Sequence, residues 1–253
     1  MIQAGNIRVL GAGITAHATA LLLSQQGWRA QLSAPPQRQH DASVRDIRAY
    51  AINHRSRATL SACGVWPAHD QAPWITPVRQ MRVFGDTTGQ LFLDPPSINP
   101  PQLTEPRDPV AWMVEVPALE DALLEACQSS DGIATDGVDS TRSTITPDLT
   151  VVCEGQTSMH DGFERHKITY PHRAIAARVR ASLPHAGVAQ QWFDGERILA
   201  LLPIGGATGS DLAVVWSVPT AEQQHWLANT SETGTAPLAA ELTAQSRNTL
   251  GTL

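Results

Sequence analysis

The sequence predicts an α/β fold: a Rossmann-like parallel βαβ domain, interrupted by and joined to a mixed, largely antiparallel β-sheet region. Three observations carry that expectation. The first 33 residues run as a short apolar strand, a glycine turn, an apolar helix and a second strand. From residue 167 to 218, four strand-like stretches are separated by short polar breaks such as DGE and GGATGSD, which suit hairpins better than helical crossovers. Between the two parts, residues 95–109 hold six prolines and read as an excursion.

Each element has a local reason. Ile7–Leu10 is short and apolar, as a strand buried on both faces should be. Gly11–Ala16 (GAGITA) turns the chain, HATALLLSQQG forms a helix that Gly27 ends, and Arg29–Ser33 is the next strand. After a Pro35–Pro36 loop, DIRAYAINHRSRATLSACGVW predicts a short extended approach, then a helix over about His54–Ala62 that Gly64 stops. Residues 79–94 predict a hairpin around GDTTG, with Val83, Leu91 and Leu93 toward a core.

Trp112–Val116 reads as a strand, and Pro117 suits the first turn of the helix that follows. Leu119, Ala122, Leu123, Leu124 and Ala126 give that helix its apolar stripe. Leu149–Cys153 returns as a strand. Thr220 is the expected cap of a further helix, with Gln223 as its reciprocal partner, and a last helix falls within PLAAELTAQS.

Composition narrows the function classes. The chain has 253 residues and a net charge of -6, and Lys167 is the only lysine among 18 basic residues. No basic stripe of the kind that binds nucleic acid is present. The three cysteines, Cys63, Cys127 and Cys153, lack metal-ligand spacing, and their odd number argues against a secreted disulfide scaffold. No apolar run is long enough to predict a transmembrane segment, and the start lacks a signal-peptide pattern. A cytoplasmic location is the expectation, with peripheral work at a membrane left open. No metal site is expected.

The glycine turn is the first candidate site. Gly11 permits a tight turn, Gly13 lets a phosphate approach the backbone, and Ala16 is a small third residue that lets helix and strand pack closely. The helix start then offers N–H donors to a diphosphate. The end of the second strand reads Leu32–Ser33–Ala34, where a dinucleotide fold normally carries a carboxylate for the ribose hydroxyls, so Ser33 is the group available there.

Taken in order, GAGITA, DIRAYAINHRSRATLSACGVW, VRQMRVFGDTTGQL, AWMVEVPALEDALLEA, AARVRASLPHAGVAQQWF, ILALLPI and VVWSVP resemble the FAD-dependent aromatic ring hydroxylases of ubiquinone biosynthesis, within the para-hydroxybenzoate-hydroxylase-like fold group. The resemblance spans nearly the whole chain. It implies an FAD-binding domain over residues 1–78 and 110–160, interrupted by a substrate domain over 79–109 and 161–253. It also implies transfer of an oxygen atom to an aromatic, quinone-precursor small molecule, with NAD(P)H as electron donor.

By position, the resemblance places Gly11, Gly13, Ala16 and Ser33 at FAD, and Arg48 at the flavin as a catalytic or orienting group. Glu154, Gly155 and Ser158 match the second cofactor signature, although Glu154 stands for its usual Asp and Asp161 for its usual Arg. His185, Gln190 and Trp192 fall near substrate-pocket positions. The sequence stops at Gly251–Thr252–Leu253, before the family's terminal Gly-Asp motif, so the terminal part of the usual fold is expected to be missing. Beside a truncated product with no settled function, two readings stay open. One is a monooxygenase, completed by a homo-oligomer or by another protein chain. The other is a noncatalytic, flavin-free member that acts as a binding or partner protein.

Overall fold

The computed structural model describes residues 5–33, 46–68, 72–94, 108–135, 146–153, 164, 166 and 168–253. In chain order the first elements are β1 (Asn6–Leu10), α1 (Ile14–Gln25), β2 (Arg29–Ser33), β3 (Ala49–Ile52) and α2 (His54–Ala62). Then come β4 (Ile75–Val78), β5 (Gln80–Phe84), β6 (Gln90–Leu93), β7 (Ala111–Glu115), α3 (Val116–Gln128), β8 (Ile133–Thr135) and β9 (Leu149–Val152). The last are β10 (His172–Arg180), β11 (Val188–Asp194), β12 (Arg197–Pro203), β13 (Asp211–Pro219), α4 (Thr220–Thr233) and α5 (Ala236–Gln245). Two compact units result: residues 1–46, 55–68 and 117–167 form one, and residues 47–54, 69–116 and 168–253 the other.

The first unit holds a parallel sheet in the order β8-β2-β1-β9. Strand β1 is central, with both its edges paired, from Asn6↔Arg29 to Leu10↔Ser33 on one side and from Ile7↔Leu149 to Leu10↔Val152 on the other. Its alternate residues Ile7 and Val9 join Ala30 and Leu32 in a core that α1 closes with Ala16 and Ala20. These alanines let the helix sit close to the sheet, which is what a glycine turn needs behind it. On α3, Val116, Leu119, Leu123 and Cys127 are fully buried, whereas Leu124 is 39% exposed. The buried stripe is therefore narrower than expected and runs along the i, i+4 row.

The second unit has a six-stranded sheet in the order β10-β13-β12-β11-β5-β6 and an antiparallel three-stranded sheet β3-β7-β4. Every neighbouring pair in the larger sheet is antiparallel except β11 with β5, which run parallel. Side chains alternate between its faces. One face sends Ile175, Trp192, Leu199, Leu201, Leu212, Val214, Trp216 and Val218 into a core shared with Leu242 of α5 and with Leu250. The opposite face places Ala189 and Ala213 against Val78 and Met113 of the smaller sheet, with Ile204 beside them.

The predicted β5–β6 hairpin forms, closed by Gly85 N–H to the Gly89 carbonyl at 2.7 Å. Its Leu91 and Leu93 are nevertheless exposed, because β6 is an edge strand. Thr220 does not cap α4. It is the first helical residue, and both its N–H and its hydroxyl donate to the Pro171 carbonyl, at 2.9 and 2.8 Å. Strand β4 was not anticipated, since Pro77 interrupts its pattern; proline is tolerated there because β4 lies at a sheet edge. Among the described residues, no helix is long and apolar enough to cross a membrane.

Trp216 is fully buried, and its indole N–H has no acceptor among the described residues. Trp216→Ala should cost about 3–5 kcal/mol in urea denaturation, as large core truncations do. Trp216→Phe removes the unsatisfied donor along with the volume, so its cost should stay below about 1.5 kcal/mol. Equal losses for the two variants would contradict this account of the core.

Candidate functional site

The glycine turn separates into two positions with different physical needs. Gly11 has φ +143°, a region L side chains rarely adopt, and an added Cβ would lie 2.8 Å from the Cys153 carbonyl oxygen and 3.1 Å from the Ala16 Cβ. Its N–H donates to the Ser33 carbonyl at 3.0 Å, and Cys153 N–H donates to the Leu10 carbonyl at 2.7 Å. The C-terminal ends of β1, β2 and β9 are thus drawn together around Gly11, and only glycine fits.

Gly13 is the N-cap of α1 with φ -100° and ψ -178°, extended backbone that any residue adopts. A Cβ there would meet nothing within 4 Å among the described residues. No packing or strain among the described residues calls for glycine at this point, so its effect is to leave the approach to the helix start open. No side chain caps α1, and its first turn has no acidic residue. An anion would therefore meet backbone N–H donors and the positive end of the helix dipole. This chemistry fits a diphosphate.

Ala16, fully buried, packs beneath the turn, and Ser33 stands beside it at the end of β2. His17, large for this position, turns inward: its Nδ1 bonds the Gly13 carbonyl at 3.0 Å. Burial holds its pKa below the ordinary value, outweighing the Gly13 carbonyl and Glu120, which raise it. The ring is neutral near pH 7 and donates from Nδ1. Nearby, burial raises the Cys63 thiol and pushes Cys127 up to about 11, so neither supplies a thiolate nucleophile. Among the described residues no cluster of three or more His, Cys, Asp or Glu could hold a metal ion. Glu154, Gly155 and Ser158 lie outside the described residues.

In the second unit, Arg48 precedes β3 with its side chain exposed. Its backbone is held firmly: the carbonyl accepts from Val116 N–H at 3.1 Å and from Arg178 Nη2 at 3.4 Å. Arg178 Nε also donates to the Ile47 carbonyl at 2.9 Å, and Nη2 lies 3.6 Å from Glu115. Arg178 was not singled out from the sequence, where nothing marks it apart from the other arginines on its strand.

The three sequence-predicted substrate residues occupy different surroundings. His185 is buried in the turn before β11, with Nε2 bonded to the Ile204 carbonyl at 3.1 Å and Nδ1 accepting Gly187 N–H at 3.0 Å. Both ring nitrogens are used, so it brackets the entry of β11 against the exit of β12. Gln190 and Trp192 are 5% and 2% exposed and stand together on the helix-covered face. Their neighbours Gln191 and Phe193, half-buried, point to the other face.

That other face carries a continuous cross-strand row: Ala176, Val215, Ala200, Gln191, Val83 and Leu91, each paired with the next. All six are half-buried or exposed, including Val215 at 40% and Leu91 at 53%. The next row places Ala174, Ser217, Ile198 and Phe193 side by side. Among the described residues, these two rows are apolar apart from the Gln191 amide and the Ser217 hydroxyl.

No family model matches the chain. Solved structures do. A probable FAD-dependent monooxygenase from Pseudomonas aeruginosa aligns at 16% identity and TM-score 0.62, covering 89% of this chain and 64% of that one. A tetrameric 2-methyl-3-hydroxypyridine-5-carboxylic acid oxygenase aligns at 13% and 0.64, covering 96% and 68%. A p-nitrophenol 4-monooxygenase from Pseudomonas putida aligns at 15% and 0.61, covering 90% and 62%. This chain therefore spans less than two thirds of the length of the Pseudomonas proteins. At these identities the likeness establishes the fold alone: a Rossmann-like domain with a separate sheet domain, the architecture of these monooxygenases and oxygenase.

Two outcomes check the geometry. Gly11→Ala should destabilise the fold by about 1–3 kcal/mol or more, because it combines backbone strain with a clash against a carbonyl. Gly13→Ala should cost no more than about 1 kcal/mol in the same denaturation experiment. Burial also keeps the His185 pKa low, against the Ile204 carbonyl and Asp211. The stability it carries is complete above its ordinary value of 6.5 and is lost as pH falls. Melting temperature should therefore drop from about pH 7.5 to about pH 5, and the drop should be smaller in His185→Gln.

Proposed function

We propose that this chain is an FAD-dependent monooxygenase that hydroxylates an aromatic small molecule, a prenylated phenol of the quinone-precursor type, with NAD(P)H as the electron donor. The opening at Gly13 carries the reading. In a fold shared with FAD-dependent monooxygenases, the chain keeps a helix start that has no side-chain cap, no acidic residue in its first turn and, among the described residues, room at Gly13 for a diphosphate.

The N–H groups at the start of α1 hold the diphosphate, Gly11 sets the turn and Gly13 leaves it room. Ala16 keeps the helix close to the sheet, and the Ser33 hydroxyl meets the ribose. Arg48 takes the flavin-side role by its match to the family position, with its backbone steadied by Arg178. Glu154, Gly155 and Ser158 complete the cofactor contacts by their match to the family signature. When bound, FAD supplies the electron transfer and oxygen activation that hydroxylation needs.

The aromatic ring lies on the open sheet face against Val215 and Ala200. The Gln191 amide orients the phenol oxygen, and Phe193 supplies an aromatic edge. His185, Gln190 and Trp192 support this surface from behind and from the strand entry. A second, flavin-free reading draws on Leu32–Ser33–Ala34, which offers no carboxylate to the ribose hydroxyls.

Visible absorption of the purified chain, followed by titration with FAD, separates the two readings. The proposal expects saturable FAD binding and phenol-stimulated, NAD(P)H-dependent oxygen consumption. Gly13→Asp should keep the melting temperature, since aspartate is a good N-cap, yet weaken FAD binding at least about tenfold through charge repulsion. A folded chain that stays colourless and takes up no FAD would reject the monooxygenase and leave the binding-protein reading.

A further inference from the structure

The six-stranded sheet ends on two edges of opposite character. At one edge, β10 carries Arg173, Arg178 and Arg180, and charged side chains of this kind guard an edge against pairing with another chain. At the other edge, β6 carries no charge, and its ladder with β5 runs without a bulge from Phe84↔Gln90 to Met81↔Leu93. Leu91, Phe92 and Leu93 are 53%, 48% and 40% exposed, so consecutive apolar side chains meet water on both faces of the strand. Among the described residues, nothing pairs with the outer side of β6.

The backbone of this edge is set for one register. Gly85 N–H donates to the Gly89 carbonyl, and opposed residues in an antiparallel ladder alternate between bonded and unbonded pairs. Val83↔Leu91 and Met81↔Leu93 are therefore the bonded pairs of the hairpin. The N–H and carbonyl groups of Gln90 and Phe92 point the other way, toward the open edge, and Asp94 continues that alternation. The side chains are symmetric about Phe92: Gln90–Leu91–Phe92–Leu93–Asp94 runs polar, Leu, Phe, Leu, polar in either direction. Asp94 accepts the Gln80 amide through Oδ1 at 2.7 Å, which leaves Oδ2 for a second donor.

We propose that β6 is a self-association edge, on which a second copy of this chain pairs antiparallel about a two-fold axis through Phe92. Phe92 exchanges both backbone bonds with Phe92 of the partner subunit, and Gln90 does the same with the partner's Asp94. Leu91 packs on the partner's Leu93, the two phenyl rings meet at the axis, and the Gln90 amide donates to Oδ2 of the partner's Asp94. The edge is thus complementary to itself. Pairing β10 with β10 would set arginines against arginines, and pairing β6 with β10 would leave free edges that propagate into a filament. The contact is short, so half-association is expected on the order of 100 µM. It does not depend on the flavin reading.

Analytical ultracentrifugation of the full chain from about 5 µM to about 500 µM tests this contact. The average mass should rise from that of one chain toward that of two, with no larger species. Phe92→Lys sets like charges across the axis and should weaken association at least about tenfold, while the exposed position keeps the melting temperature near that of the parent chain. An equimolar mixture of Phe92→Lys and Phe92→Glu should restore association, because residue 92 meets only its own counterpart. Residue-resolved hydrogen exchange reads the register: the Gln90, Phe92 and Asp94 amides should slow as concentration rises, and those of Leu91 and Leu93 should change less. A single-chain mass throughout that range overturns the proposal. Undiminished association of Phe92→Lys, a charge-swapped mixture that stays monomeric, or open-ended growth into larger species overturns it as well. Slowing at Leu91 and Leu93 without slowing at Phe92 overturns the register.

Discussion

Strand β5 lies parallel to β11, from Gln80↔Val188 to Phe84↔Trp192, and the second unit depends on that pairing. It attaches a hairpin from one part of the chain to a meander about a hundred residues later. The join begins just before the strands, with Arg79 N–H donating to the Gly187 carbonyl at 2.8 Å. An added Cβ on Gly187, whose φ is +71°, would lie 3.1 Å from the Pro77 carbonyl. Thr76 reinforces the junction by accepting the Gly206 N–H at 2.9 Å. Because β4 leads directly into β5, the same few residues tie the three-stranded sheet to the six-stranded one. The Val78, Met113, Ala189, Ile204 and Ala213 core forms at that junction.

Register then decides which side chains can meet ligands. A slip of one residue in β11 would exchange Gln190 and Trp192 for Gln191 and Phe193. The parallel partner prevents the slip, because Phe84 stacks on Trp192 on the helix-covered face. The two faces acquire different chemistry from one strand: a more open, largely apolar surface on one side, and the helix-covered core around Trp192 on the other. The first unit works by another principle. Its candidate anion site is made of backbone, shaped by one glycine that must be glycine and another that leaves space.

Much of this was legible in the sequence where local chemistry dominates. The βαβ opening follows from an apolar strand, a glycine turn and a helix of small and branched apolar residues. The hairpin at GDTTG and the antiparallel run after residue 167 follow from turn residues and alternation. Nonlocal pairing left no local mark: nothing in QMRVF announces β11 as its partner. The stretch QQWF is compatible with either facing, so the roles of Gln190 and Gln191 could be separated only by the helices that cover one face of the sheet. His185 looked available because sequence does not show a carbonyl and an N–H closing on both sides of its ring. Thr220 had the residue type of a cap, but the chain places it one position inside the helix. In each case, a residue's chemistry was readable and its direction was not.

The first unit's sheet also constrains the order in which the chain can mature. Its central strand β1 is paired with β2, about twenty residues away, and with β9, about 140 residues away. During synthesis, β1, α1 and β2 can associate early, while the far edge of β1 and the carbonyl of Leu10 wait for Leu149–Cys153. The intervening chain includes β3 through β7, which belong to the other unit and whose larger sheet needs β11, later still. Neither unit can close from a contiguous stretch. Long loop closures of this kind slow folding and prolong exposure of unpaired strand edges. Production of the isolated chain will therefore be governed by how long the edge of β1 remains unpaired, a kinetic burden written into the strand order rather than into any single residue.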